Sequence, residues 1–117
     1  MTVQECYKQV GGDYDEAMSR LRTDDRIKRF LLKVADDQSY NNLRENLKAH
    51  NMEEAFRAAH TLKGVSSNLS LTKLHDSASE MTEALRGKTE YTPDLEDYFQ
   101  KVTEDYELTV GGIRAID

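Results

Sequence analysis

The chain is poor in everything that breaks, ties or anchors a fold. It has one cysteine, Cys6, so no internal disulfide is open to it, and nothing around Cys6 marks a reactive thiol. It has one proline, Pro93, and no tryptophan, and four of its six glycines fall in two pairs, Gly11-Gly12 and Gly111-Gly112. With so few breakers, long helices are the expected structure. No apolar run approaches the roughly 20 residues that a membrane span needs. The N-terminal MTVQECYKQV lacks the charged-then-apolar pattern of a signal peptide. Repeats, low-complexity segments and strand-like alternation are all missing. Basic residues are outnumbered by acidic ones, 16 to 22, for a formal net charge of −6. A negative surface repels phosphate backbones and anionic lipid, so neither nucleic acid nor membrane is an expected partner. A lone cysteine and no leader fit a reducing cytoplasm.

What is present suits one helical domain. The 117 residues are 38% hydrophobic and 32% charged, enough to bury a single core over residues 1–117. Caps and periodicity divide the chain. Residues 2–9 form a short helix ended by Gly11-Gly12, and Asp13 caps a second one reaching residue 21. Thr23 caps a third, with Asp24 and Asp25 in its first turn and Ile27, Phe30, Leu31 and Val34 at helical spacing. Residues 39–50 make a fourth, with Tyr40, Leu43 and Leu47 on one side. Asn51 with Glu54 reads as a capping box before a helix over 52–68. Ser70 or a neighbour starts the next, which runs to Leu85 and stops at Gly87. Thr92 with Pro93 opens the last helix. Leu95, Tyr98, Phe99, Val102, Tyr106, Val110 and Ile113 line its apolar face, and Gly111-Gly112 weakens its end. Amphipathic helices joined by short links must bury their faces on one another. The expected fold is all-α, an antiparallel four-helix bundle with the short extra N-terminal helices covering one end.

Three histidines, His50, His60 and His75, are the candidates for chemistry. Bundle metal sites place a glutamate three residues before a histidine. Here those positions hold Leu47, Arg57 and Thr72, so no metal is expected. A Gly-x-Ser-x-Gly elbow and a phosphate-cradling glycine loop are both missing, so no ATP site is expected. His50 reads as a surface residue at a helix end, and His75 as structural.

His60 differs. At about 100° per residue, Ala55, Ala58, Ala59, Leu62, Val65, Ser66 and Leu69 fall in an arc about 120° wide, and His60 lies about 160° from its centre. The histidine therefore projects away from the core. Phe56, Lys63, Gly64 and Ser67 share its outer face. An exposed glycine within a helix costs about 1 kcal/mol against alanine. Gly64 gains a reason if a missing side chain lets another surface approach the imidazole. Lys63 supplies a mobile cation for a phosphoryl group, and neutral imidazole is a nucleophile. Across the helical turn near residue 70, position 60 lies level with about position 80, so Ser79 and Thr82 are the expected supporting neighbours of His60, with Arg86 one turn on.

The stretch AAHTLKGVSSNLSLTKL, residues 58–74, resembles the signature of histidine-containing phosphotransfer (HPt) domains of two-component phosphorelays. His60-x-x-Lys63-Gly64 is its specific part, joined by Asn68-Leu69 and Leu74. The resemblance implies that His60 accepts a phosphoryl group at Nε2, that Lys63 meets the phosphoryl oxygens, and that Gly64 gives the partner clearance; Phe56 and Ser67, on the same outer face of the wheel, are expected beside it on the docking face. It implies a phosphocarrier with no ATP site and no cofactor of its own. The partners it implies are response-regulator receiver domains, which hold the Mg²⁺, and sensor or hybrid histidine kinases. A docking module that carries no phosphate is the alternative. Many members of the family carry Gln or Glu at the position of Thr82 to fix the ring, and glycine at the position of Ser70. Ser70 is expected to cap the following helix. A monomer is expected, and the initial methionine with a completed bundle favours a free-standing domain.

Overall fold

The computed structural model describes residues 1–117 and contains seven helices and no strands. In chain order they are α1 (Val3–Val10), α2 (Tyr14–Leu21), α3 (Asp24–Asp36), α4 (Ser39–Lys48), α5 (Met52–Asn68), α6 (Thr72–Leu85) and α7 (Leu95–Arg114). None is long and apolar enough to cross a membrane.

Short-range chemistry starts most of them. The hydroxyl of Thr2 accepts from Glu5 N while the Glu5 carboxylate accepts from Thr2 N, a complete capping box. Asp13, Thr23 and Asn51 each accept a backbone N–H three residues on, opening α2, α3 and α5. Helix α4 stops at Lys48, two residues before its expected end. His50 there takes a left-handed backbone, φ 57°, and Asn51 N closes back onto Asn46 O. Helix α7 begins at Leu95, after a tight turn in which Leu95 N and Glu96 N donate to Thr92 O and Pro93 O.

Helices α4, α5, α6 and α7 form an up-and-down bundle, as expected. Its core is Tyr40, Leu43, Leu47, Met52, Ala55, Ala58, Ala59, Leu62, Leu74, Ala78, Met81, Leu85, Leu95 and Val102. The rings of Tyr40 and Tyr106 stack at 4.1 Å and the Tyr40 hydroxyl meets Thr103 Oγ1 at 2.9 Å, closing α4 on α7. Two expected core residues lie at the surface: Phe30 is 41% and Tyr98 39% exposed, because each sits at the edge of its helix's apolar arc. Two polar residues of α7 are buried instead. The Thr109 hydroxyl donates to Asp105 O, and one Asp105 carboxylate oxygen lies 3.9 Å from Lys73 Nζ.

The N-terminal helices pack a second apolar cluster against the far end of the bundle, with Cys6, Tyr7, Val10, Ile27 and Leu31 meeting Leu69, Leu71 and Ile113. They are stitched to the α5–α6 turn. The Tyr7 hydroxyl donates to Leu69 O at 2.7 Å, Asp13 N to Ser70 O at 2.8 Å, and Lys73 N to Gly11 O at 3.2 Å. Ser70 does not cap α6, contrary to expectation: Leu71 occupies the cap position and no side chain fills that role. The Ser70 backbone is left-handed, φ 54°, which is why a glycine would suit the position. Its hydroxyl instead donates to Glu16 Oε1 at 2.7 Å and accepts from the Arg20 guanidinium. Arg20 also donates to Ser67 O and Asn68 O, the last carbonyls of α5, a helix with no basic residue in its own final turn. A cation from α2 thus supplies the favourable charge at that C-terminus.

Helix α7 runs through Gly111-Gly112 to Arg114 without breaking. A methyl group on Gly112 would lie 2.6 Å from Val10 Cγ1 and 3.4 Å from Cys6 Sγ, so α1 approaches α7 where the side chain is missing. Gly111 faces open space. Gly111→Ala should therefore raise stability by about 1 kcal/mol through helix propensity. Gly112→Ala should lower it by about 1–3 kcal/mol through overpacking. Urea denaturation of the two variants checks the pair, and equal gains would place α1 elsewhere.

The Ser70 hydrogen bond, followed by Arg20, holds the Glu16 carboxyl below its ordinary value of 4.5. A lowered pKa in the folded state adds stability that is complete above the unfolded value and lost as pH falls through the folded one. Ser70→Ala should flatten the loss of melting temperature below about pH 4.5, read by thermal melts across the acid range. An unchanged acid limb would remove Ser70 from this joint.

Candidate functional site

Helix α5 separates its two faces cleanly. Met52, Ala55, Ala58, Ala59, Leu62 and Ser66 are buried, and the Ser66 hydroxyl is satisfied by donating to Leu62 O at 2.7 Å. Small side chains at 55, 58 and 59 let α5 seat closely on its neighbours. That seating fixes the rotation of the helix and leaves His60 exposed, as the wheel requires. Gly64, one turn on, is exposed, and a Cβ built there meets nothing within 4 Å. Lys63 is half-buried beside them and Ser67 is exposed one turn further.

Phe56 and His60 occupy successive turns, and their rings stack with centroids 6.2 Å apart and planes 14° from parallel. Phe56 is half-buried against the bundle core. The Arg86 guanidinium of α6 lies 5.1 Å from the centre of the Phe56 ring. Glu83 grips that guanidinium with both oxygens, at 3.0 and 3.1 Å. The hydrogen bond from Arg86 draws the Glu83 carboxyl below its usual range, with the fields of Arg86 and Lys63 acting the same way. Lys63 of α5 and the Glu83–Arg86 pair of α6 therefore share one electrostatic neighbourhood.

The expected supporting residues divide. Arg86 reaches the site through Phe56. Thr82 is fully buried, and its hydroxyl donates to Ala78 O at 2.7 Å, one turn back in its own helix. It is part of the α6 core face, not the supporting neighbour of His60 that is expected, and makes no hydrogen bond to the histidine. Position 82 is one helical turn from both Ala78 and Leu85, which places it among the buried residues. Ser79 is half-buried and lines an open depression with Glu80, Glu83, Ala84 and Tyr98 of α7. Glu83 escaped the sequence reading, although its spacing of three from Arg86 was a usable signal.

The other histidines lie apart. His50 stacks on Tyr91 at 4.1 Å in the α4–α5 turn. His75 Nδ1 is 3.1 Å from Asp76 Oδ1 and lines a cleft with Asp13, Glu16 and Ser70. No cluster of three or more histidine, cysteine, aspartate or glutamate residues is arranged to hold a metal ion.

A helical bundle that projects one histidine from a middle helix, beside bare backbone and a lysine, is the architecture of a phosphotransfer domain. The family model "Hpt domain" matches residues 30–109, most of the chain. The protein belongs to the Hpt domain family, phosphotransfer modules of two-component systems that work with receiver domains and histidine kinases. Among curated proteins and solved structures, no match was found.

Gly64→Ala should raise stability by about 1 kcal/mol, since the added methyl finds open space and alanine favours helix. A chemical denaturation midpoint checks it, and a loss of stability would mean that Gly64 packs against something.

Proposed function

We propose that this chain is a phosphorelay phosphocarrier in which His60 takes a phosphoryl group from a receiver-domain aspartate or a sensor kinase and passes it to another receiver aspartate. The observation that carries the reading is an exposed imidazole with open space over the adjacent Gly64 backbone. A receiver's phosphorylated pocket is a recessed, acidic site, and a histidine flush with large neighbours would not reach into it.

The chemistry needs little from this side. Nε2 of the neutral ring, with its proton on Nδ1, offers a lone pair to phosphorus. The N–P bond forms as the P–O bond to the aspartyl carboxylate breaks, and the carboxylate leaves with the bonding electrons. Forward transfer is the same displacement read backwards on a second receiver. Lys63 neutralises charge on the equatorial oxygens in flight. Mg²⁺ belongs to the receiver, and the carrier needs no nucleotide or cofactor. Gly64 and Ser67 form the face presented to the partner. The chain acts as one domain over residues 1–117, as a monomer in the cytoplasm.

Incubation with a phosphorylated receiver domain tests the proposal. Acid-labile label is expected on the wild type and not on His60→Gln. Equal label on both proteins would end the reading, and a stable complex without transfer would leave only a docking module. Gly64→Leu should hold or slightly raise its melting temperature while transfer falls, because the new side chain fills the approach and not the core.

A further inference from the structure

We propose that Phe56 is the positioning residue for His60, and that the Glu83–Arg86 pair of α6 holds Phe56 in place. This rests on the phosphocarrier reading and assigns what sets the angle of the nucleophilic ring.

An exposed histidine on a helix is free about χ2, yet in-line attack needs the Nε2 lone pair on the axis of the breaking P–O bond. A hydrogen bond from a neighbouring helix would be one way to fix the ring. The imidazole makes none, and Thr82 has committed its hydroxyl to Ala78 O. The ring's partner is Phe56, one turn earlier, with nearly parallel planes 6.2 Å apart between centroids. That separation lies in the range of favourable offset stacking.

The stack does what a hydrogen bond cannot. It holds the plane of the imidazole near that of Phe56 without taking up either ring nitrogen as a donor or acceptor. Nε2 stays available for phosphorus, and Nδ1 can keep its proton without a protein acceptor.

Phe56 can serve only if it is itself held. Its ring packs on the bundle core and carries the Arg86 guanidinium 5.1 Å from its centre. The guanidinium is fixed in turn by two hydrogen bonds to Glu83. The chain of contacts from α6 to the nucleophile is thus carboxylate, guanidinium, phenyl, imidazole. The guanidinium also covers part of the Phe56 ring, which favours a supporting role for this residue over a contact with the partner.

The test compares wild type, Phe56→Ala and Phe56→Tyr by two readouts. The first is the proton NMR position of the His60 ring, which a stacked aromatic shifts upfield. The second is single-turnover transfer from a phosphorylated receiver across a range of receiver concentrations. Phe56→Ala should lose the upfield shift and slow transfer at saturating receiver by about ten-fold, the scale of a misaligned reacting group. The receiver concentration giving half-maximal rate should not change, and Phe56→Tyr should restore both readouts. An unmoved His60 resonance, an unchanged saturating rate, or a change confined to the half-maximal concentration would overturn the assignment. No label on wild-type His60 would overturn the phosphocarrier reading and this role together. Label on the wild type with an indifferent Phe56→Ala would overturn this role alone.

Discussion

The close seating of α5 on its neighbours through Ala55, Ala58 and Ala59 is the constraint on which the rest depends. Three methyl side chains in two turns leave no slack for the helix to rotate about its axis. With that stripe buried, the 100° step of the helix decides where every other residue of α5 goes. His60 and Gly64 must face outward, one turn apart. The exposure of His60 is a consequence of packing on the opposite side of the helix.

The second apolar cluster serves the same end of keeping α5 in place. Tyr7, the Gly11 turn, Asp13 and the Glu16–Ser70–Arg20 network all converge on the turn after α5. Arg20 supplies the charge that the C-terminus of α5 lacks in its own sequence. Residues far from His60 thereby hold the helix that carries it at both its face and its end.

Local signals were legible where local physics governs. Caps at Asp13, Thr23 and Asn51 marked helix starts, and the wheel of α5 turned His60 outward because one face of that helix is unusually uniform. Tertiary choices were not legible. Ser70 is a plausible cap by type, but α2 claims its hydroxyl. Thr82 reads as an edge residue on a wheel, yet a threonine can bury itself by donating to the preceding turn. Gly111-Gly112 reads as a weak helix end because the sequence does not reveal that α1 crosses there against Gly112. The stack of His60 on Phe56 follows from spacing alone, but its support by Arg86 and Glu83 required the register between α5 and α6.

The molecule is therefore a stiff presenter of one ring, and the proposed phosphorelay role asks little of the scaffold beyond that. The most direct measurement is a pair of two-dimensional NMR spectra of the intact chain before and after reaction with a phosphorylated receiver, with a phosphorus spectrum of the product. The account predicts a phosphoramidate resonance, with proton and nitrogen changes confined to His60 and the outer face around Phe56, Lys63 and Gly64. No phosphoramidate, or one on His50 or His75 with His60 unmoved, would contradict it.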